Sequence, residues 1–274
     1  MEAGLIYKLK VNRKTPIGYI LTSDKEEVFL HNNETLYELV ANDVVEVFLY
    51  YDSEKRLAAT MSIPDATKNN PGWAIAEDKV DGGVFLNIGM NKGVLLSKDY
   101  LPYDSKLWPQ SGDKLFVILK EKANRLVAKV VNNNEAKSFS LKEDININDN
   151  VTAYVSRIND EGYVLYTNNL SIIYLHKTQL RSTLRLGEEV EVKITKIDDR
   201  GLHATMIEQK ENMIEKDKVV ILNYLKEHTF IYEEVTPEFI LETFNMSKKA
   251  YKRAIGSLYK DRLIDFKDKK YIIK

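Results

Sequence analysis

Apolar and polar residues alternate in short bursts along most of the chain, and the bursts recur three times in the same order. A glycine stands at or near the start of each set: IGYILTS at 17–23, GVFLNIG at 83–89 and GYVLYTN at 162–168. A second apolar run follows in each, EVFLHNNE at 27–34, GVLLSKDY at 93–100 and IIYLHKTQ at 172–179. After a polar stretch come longer alternating runs, NDVVEVFLYYD at 42–52, GDKLFVILKE at 112–121 and GEEVEVKITKID at 187–198, then a turn and a closing strand that ends at Met61, Val131 or Met206. Period-two alternation bounded by turn residues predicts strands, so each copy reads as five short strands with a helical turn after the third. Closing such a set into a small barrel removes the exposed strand edges that short β modules otherwise present.

The periodicity changes after residue 217. VVILNYLKEH and then PEFILETF, at 237–244, space their apolar residues as helices do, with proline in the first turn of the second. Ser247 is placed to cap a third helix, in which Ala250, Tyr251, Ala254, Ile255, Leu258 and Tyr259 form a buried stripe while Lys248, Lys249, Lys252 and Arg253 face the other way. The tail LIDFKDKKYIIK, 263–274, reads as two strands around a turn at 267–270 that carries Lys269 and Lys270. Three helices and a hairpin predict a winged helix-turn-helix. The expected domains are therefore 1–63, 70–132, 148–208 and 214–274, joined by polar linkers at 64–71, 132–148 and 208–216, with NNNEAK at 132–137 the most mobile.

The stretch DGGVFLNIG, 81–89, raises a choice between a phosphate cradle and a bent strand. A phosphate loop needs a helix N-terminus and a lysine directly after its glycines, whereas here strand-forming residues lie between Gly83 and Gly89 and another apolar run follows. The strand reading is preferred.

Composition narrows the function classes. The chain has 274 residues, 44% hydrophobic and 30% charged, which suits several small globular modules. Cysteine is absent, which excludes disulfides, thiol nucleophiles and cysteine-ligated zinc. No apolar run reaches the ~18 residues of a membrane span and MEAGLIYKLKVNRK lacks signal-peptide order, so a cytoplasmic protein is expected. A net charge of −1 argues against nonspecific coating of nucleic acid by the whole chain, but charge is unevenly distributed: residues 211–244 hold three basic and eight acidic residues, and 245–274 hold ten basic and three acidic. The basic helix and wing are thus a local patch. A solvated lysine-rich face is the plainer explanation, and a groove-entering recognition helix the sharper one.

The third repeat, with VTAYVSRINDEGYVLYTNN, YLHKTQL and LGEEVEVKITKIDDRGLHATM, resembles an S1 RNA-binding domain, a barrel of the OB type, and the second carries an S1-like glycine-x-Phe run at 83–89. The fold class expected from this resemblance is mainly β, three tandem S1-type OB barrels followed by an α+β winged helix. S1 domains imply stacking of single-stranded RNA bases on aromatics of the second and third strands, near a histidine that ends strand three, with an acidic residue and an arginine at the last turn. Carried over, these are Tyr19, Phe29, His31, Asp52 and Arg56 in the first copy. They are Phe85, Glu121 and Arg125 in the second, with Leu96 in the histidine slot. In the third they are Tyr163 or Tyr166, His176 and Asp198, with Leu202 in the arginine slot. Each aromatic also sits in an alternating run where a core role is common, and period two alone does not choose the face. No copy is perfect, which suggests weak sites acting together through effective concentration.

The order of three S1-like modules and a winged helix, with SKKAYKRAIGSLYKDRLI as its most distinctive segment, resembles the CvfB (conserved virulence factor B, YitL-like) family over essentially the whole chain. That resemblance implies an RNA-binding regulator of gene expression with a bearing on virulence. Catalysis is not expected: the acidic residues are dispersed, the four histidines, at 31, 176, 203 and 228, are scattered, and no D-x-D, H-E-x-x-H, G-x-S-x-G or Walker pattern occurs. No cofactor or metal is expected. Two other functions stay open: a transcription regulator that binds DNA through the winged helix, and an accessory subunit of an RNA-degrading enzyme.

Overall fold

The structure is a computed structural model, described here for residues 1–23, 25–207, 210–228, 235–267 and 270–273. The first repeat folds as β1 (Ile6–Thr15), β2 (Gly18–Ser23), β3 (Glu26–His31), β4 (Val44–Tyr51) and β5 (Leu57–Thr60), closed in the order β1-β2-β3-β5-β4. The second comprises β6 (Gly72–Val80), β7 (Gly83–Asn87), β8 (Val94–Ser97), β9 (Lys114–Glu121) and β10 (Leu126–Val130), and the third β11 (Asn150–Asn159), β12 (Gly162–Tyr166), β13 (Ile172–His176), β14 (Glu189–Asp198) and β15 (Gly201–Thr205). All three barrels share one topology, with the third and fifth strands parallel and the other pairs antiparallel. The first strand closes each barrel by serving two neighbours. In β1, Ile6–Lys10 pairs with β4 and Lys10–Thr15 with β2, and a slip in register between Val11 and Arg13 lets the strand bend between them.

The repeated glycine has a steric cause. Gly18, Gly83 and Gly162 lie opposite His31, Ser97 and His176, where the carbonyl oxygens of Leu30, Leu96 and Leu175 crowd the space a Cβ would take. A Cβ on Gly83 would stand 2.0 Å from the Leu96 carbonyl oxygen, and Gly83 and Gly162 have φ of 147° and 154°. Only glycine fits such a position. The stretch at 81–89 is therefore a tight turn and a strand, as its residue types predict.

Alternation places Leu9, Leu21, Leu30, Val47 and Leu49 in the core of the first barrel, and Val155, Leu165, Ile173, Leu175 and Ile194 in that of the third. The second core, around Leu86, Leu96, Leu115 and Leu119, is continuous with Phe48, Tyr50 and Ala58 of the first barrel and with Leu186 of the third. These shared side chains make Met1–Met206 one compact unit. Polar contacts reinforce both joints. Between the first two barrels, the Glu121 carboxylate accepts from the Tyr51 hydroxyl at 2.8 Å and from Lys68 at 2.9 Å. Between the second and third, Asp113 accepts two hydrogen bonds from the Arg185 guanidinium at 2.7 and 3.0 Å, and Trp73 donates through Nε1 to the Asn168 carbonyl at 3.1 Å.

Residues 132–137, expected to be the most mobile linker, are instead an ordered turn of helix. α1 (Asn133–Lys137) begins with a capping box in which Asn132 and Glu135 satisfy each other's backbone N–H groups. Ala136 is fully buried beside Phe116, Val164 and Tyr166, and Asn133 accepts from the Tyr166 hydroxyl at 2.9 Å. The polarity of this stretch marks a cap rather than a flexible segment.

Residues Ile207–Lys274 form a second unit. α2 (Lys210–Glu227) starts within the expected linker 208–216, earlier than the apolar period indicates. α3 (Pro237–Phe244) is capped by Thr236 and ends at Asn245 in the left-handed conformation, and α4 (Lys248–Lys260) is capped by Ser247. β16 (Ile264–Lys267) and β17 (Lys270–Ile273) pair as the wing hairpin. Ala250, Tyr251, Ala254, Ile255 and Leu258 are buried as expected, whereas Tyr259, expected in that stripe, points outward and is 56% exposed. Within this unit Lys218 is buried and held by Asp261 at 2.6 Å and Glu215 at 2.8 Å, tying α2 to the C-cap of α4.

Candidate nucleic-acid interface

The pairing register corrects the correspondence between the repeats. Because Gly18, Gly83 and Gly162 oppose His31, Ser97 and His176, the slot that ends strand three in the second barrel is Ser97, not Leu96. All three residues do one job there. Asn33 N–H donates to His31 Nδ1 at 3.0 Å, Asp99 N–H to Ser97 Oγ at 3.4 Å and Thr178 N–H to His176 Nδ1 at 3.3 Å, each capping the short 3-10 turn that follows. With Nδ1 accepting, the hydrogen of each exposed imidazole sits on Nε2, which is available as a donor at the surface.

The same register separates two outward slots. On strand two they are Ile20, Phe85 and Val164; on strand three they are Phe29, Leu95 and Tyr174, directly opposite. Phe85, 37% exposed, therefore does not correspond to Tyr19 and Tyr163, which point inward. Tyr19 is 3% exposed, and its hydroxyl accepts from Leu39 N–H at 3.3 Å; Tyr163 accepts from Leu184 N–H at 3.2 Å in the same way. Tyr19 is a core post that holds the loop before β4, and stacking on a base is closed to it. Tyr166 faces outward but is only 1% exposed, because α1 covers it. It too is corrected to a structural residue. Tyr163 is half-buried, with one edge reaching the groove described below.

In the first barrel Phe29 and His31 share a face, their rings edge to face at 6.1 Å, and they line a 240 Å³ cavity with Arg56. That cavity is narrowed by the second barrel, whose Lys92 ammonium lies 5.7 Å from the centre of the Tyr50 ring. Burial, with Glu34 and Asp52 nearby, pushes the Tyr50 hydroxyl up to about 12. Arg56 is exposed but committed: its guanidinium donates to Asp52 at 2.7 and 2.9 Å and meets Glu54 at 2.7 Å. Burial pushes the Asp52 carboxyl upward, but hydrogen bonds from Arg56 and from the Glu54 backbone outweigh it and hold the group below its ordinary value.

In the second barrel Arg125 is exposed at a tight turn closed by Lys122 and forms no ion pair with a described residue. The acidic slot there is Lys122, since Glu121 lies one residue earlier, opposite Leu126, and serves the joint with the first barrel. Hydrogen bonds from Lys68 and then Tyr51 hold the Glu121 carboxyl below its ordinary value.

The third barrel carries the most developed surface. A 910 Å³ groove is lined by Tyr163, Tyr174, His176, Lys196, Arg200 and His203 among others. Tyr174 on β13 and His203 on the parallel neighbour β15 are directly paired, their rings tilted by 33° with centres 5.7 Å apart. Asp198 accepts from Lys196 at 2.7 Å and from His203 Nε2 at 3.1 Å. Those two contacts, Lys196 first, hold the Asp198 carboxyl far below the usual carboxylate range. Being ionised, it accepts only, so His203 Nε2 carries a hydrogen. The arginine expected at Leu202 is supplied at Arg200, because the turn between β14 and β15 is one residue shorter than that of the first barrel. Gly201 lets this turn pass close to the aromatic: its added Cβ would lie 3.2 Å from the Tyr174 ring. Tyr174 and His203 are the site residues that carry-over by position missed. The alternation Tyr174-Leu175-His176, with Leu175 in the core, puts Tyr174 on the same outward face as His176.

In the C-terminal unit Lys248, Lys249, Lys252 and Arg253 are all exposed along α4, and Lys270 is exposed at the start of β17. Lys269 lies outside the described residues. Among the described residues, no cluster of three or more His, Asp or Glu side chains could hold a metal ion, and no helix is long and apolar enough to cross a membrane.

Comparison with known proteins agrees with this architecture. The S1 domain family model matches residues 3–62 and 149–206, the CvfB first S1-like domain matches 72–129, and the CvfB-like winged helix domain matches 220–272. The uncharacterized protein YitL of Bacillus subtilis is 32% identical over 269 residues, covering 95% of this chain and 90% of its own length. Conserved virulence factor B of Staphylococcus epidermidis is 30% identical over 257 residues, covering 90% and 86%. A crystal structure of a multidomain protein with nucleic acid binding domains from Streptococcus pneumoniae superposes with a TM-score of 0.66 at 24% identity over 99% of this chain and 98% of that one, a likeness of fold. Three S1-type barrels and a winged helix, all nucleic-acid-binding types of domain, in a chain that matches these relatives nearly end to end, place it in the CvfB family.

Proposed function

We propose that this protein is a non-catalytic, cytoplasmic binder of single-stranded RNA, acting in the control of gene expression, and that the third barrel holds the strand. The observation that carries this reading is the Tyr174–His203 pair in the 910 Å³ groove, with the His176 Nε2 donor and the Arg200 charge at its edge. A π face accepts any base by stacking, worth about 1–3 kcal/mol per base, and a cation beside it holds the phosphate. Among the three barrels this groove best combines a ring pair, a donor and an uncommitted cation: the first barrel's cavity is small and its arginine is engaged by two carboxylates, and the second lacks the histidine. The relatives named conserved virulence factor B support a regulatory role that bears on virulence.

A second reading follows from the exposed cations of α4, which suit the phosphates of duplex DNA when a recognition helix enters a major groove. Fluorescence anisotropy of labelled single-stranded RNA, single-stranded DNA and duplex DNA with the full chain separates the two. Preferential binding of single-stranded RNA is expected; preference for duplex DNA, lost in a Lys252→Glu, Arg253→Glu variant, establishes the second reading instead.

A further inference from the structure

We propose that α1, the helix between the second and third barrels, is a wall of the nucleic-acid groove, and that its Lys137 acts with Arg200 as a clamp on the phosphates of the bound strand. The proposal rests on the third barrel being the strand-binding surface, and it assigns to the inter-barrel segment a binding role separate from the barrel residues themselves.

Position comes first. The groove holding Tyr174 and His203 is followed by a second cavity of 390 Å³ that includes Ser140, Ser171 and Leu202. Lys137, Asp199 and Arg200 line both. A strand leaving the ring pair for the second cavity passes between the end of α1 and the β14–β15 turn. α1 covers Val164 and Tyr166, the outward residues of β12, so on this barrel the helix stands where the strand-two side of the face would otherwise be open.

The helix is fixed firmly enough to act as a wall. Its capping box, the fully buried Ala136 and the Tyr166 hydroxyl donating to Asn133 set its place from three sides. Lys137 follows Ala136 directly and is exposed.

Where the two cavities meet, two cations, Lys137 and Arg200, stand against one carboxylate, Asp199. Neither Lys137 nor Arg200 forms an ion pair with a described residue. Of the carboxylates nearby, Asp198 is already engaged by Lys196 and His203, and Glu143 accepts from Thr167 and Asn169. Asp199 is left beside two cations at the border itself, and Glu161 lies in the first groove. Two uncommitted cations converging where two cavities meet suit a polyanion that runs through both.

The test is a salt series of anisotropy titrations of the full chain with a labelled single-stranded RNA of about 12 nucleotides, within the span of one such barrel. Wild type is compared with Lys137→Ala, Lys137→Arg, Tyr174→Ala and, as a control on an exposed lysine of the first barrel, Lys10→Ala. Loss of one phosphate contact predicts about fivefold weaker binding at ~0.1 M salt and a log–log salt slope shallower by about 0.7 for Lys137→Ala. Lys137→Arg and Lys10→Ala are expected to match wild type, and an unchanged melting temperature for Lys137→Ala excludes loss of folding. Wild-type affinity and slope in Lys137→Ala, with binding weakened in Tyr174→Ala, overturns the clamp and leaves the third-barrel reading standing. Absence of RNA binding by the wild type overturns both.

Discussion

The hydroxyl of Tyr51 in the first barrel donates to the carboxylate of Glu121 in the second at 2.8 Å, and Lys68, from the segment that joins them, reaches the same carboxylate at 2.9 Å. The two barrels are thereby held in one orientation by a group that the sequence spacing alone places at the last turn of the second repeat. The Glu121 carboxyl lies below its ordinary 4.5 in the folded chain, so its contribution to stability is present above that value and is lost as pH falls through the depressed folded value. Thermal unfolding followed from pH 7 to about pH 3 is therefore expected to show a smaller acid-induced drop in melting temperature for Glu121→Gln than for wild type. Equal drops would show that the contact does not couple to folding.

The joint between the second and third barrels depends on Asp113, 7% exposed and bidentate to Arg185. Asp113→Ala leaves Arg185, 29% exposed, with Glu188 at 3.3 Å as its remaining carboxylate and takes the acceptor from Gln110 N–H, so it is expected to destabilise the three-barrel unit by about 1–3 kcal/mol. The Asp113→Ala, Arg185→Ala double variant is expected to lose less than the sum of the singles, measured by urea unfolding. Additive losses would mean that the two side chains act separately.

Burial separates the tyrosines into two groups with opposite phenotypes. Tyr19→Phe leaves the buried Leu39 N–H without its acceptor and Tyr166→Phe breaks the bond to Asn133, so each is expected to cost about 1–3 kcal/mol of stability, with RNA affinity unchanged in Tyr19→Phe, which lies away from α1. Tyr174→Ala, on the open groove, is expected to lower affinity by about 1–3 kcal/mol. Paired melting and anisotropy measurements check both halves. An affinity loss in Tyr19→Phe at full stability would contradict the assignment.

At the alkaline end, Tyr50 links the first two barrels. Its hydroxyl is raised from 10.0 to about 12 by burial, so the stability tied to its proton is intact below the ordinary value and is lost as pH rises from about 10 to about 12. Tyr51, Tyr154 and Tyr166 are raised as well, so Tyr50→Phe is expected to remove part of the late tyrosinate absorbance, the part that appears near pH 12, and to leave the rest of the alkaline titration in place. Loss of absorbance from the portion that titrates near 10 would refute the assignment.

The barrels were legible because their information is local. Period-two runs, a glycine that only a close strand approach requires, and polar residues at the turns recur in order, and Gly18, Gly83 and Gly162 occupy equivalent places. Ser247 as a cap and the α4 stripe were legible for the same reason. The site was less so. Choosing between Tyr163 and Tyr174 requires knowing which residue opposes Gly162, and a shift of one residue in a strand exchanges the core face for the surface. The roles of Tyr166 and Glu121 were hidden for a different reason: Tyr166 is covered by α1, and Glu121 is taken by Tyr51 and Lys68. Such contacts between modules have no period. α1 itself was misread because Asn132 and Glu135 are polar in a linker and polar in a capping box alike.

The four histidines allow binding by the third barrel to be tested in one experiment, since His31 reports on the first barrel, His176 and His203 on the third, and His228 on the C-terminal unit. Imidazole resonances of the full chain are followed by NMR as single-stranded RNA is added. His176 and His203 are expected to shift together while His31 stays in place. Movement of His31 with His176 and His203 unchanged, or of His228 alone, would contradict it.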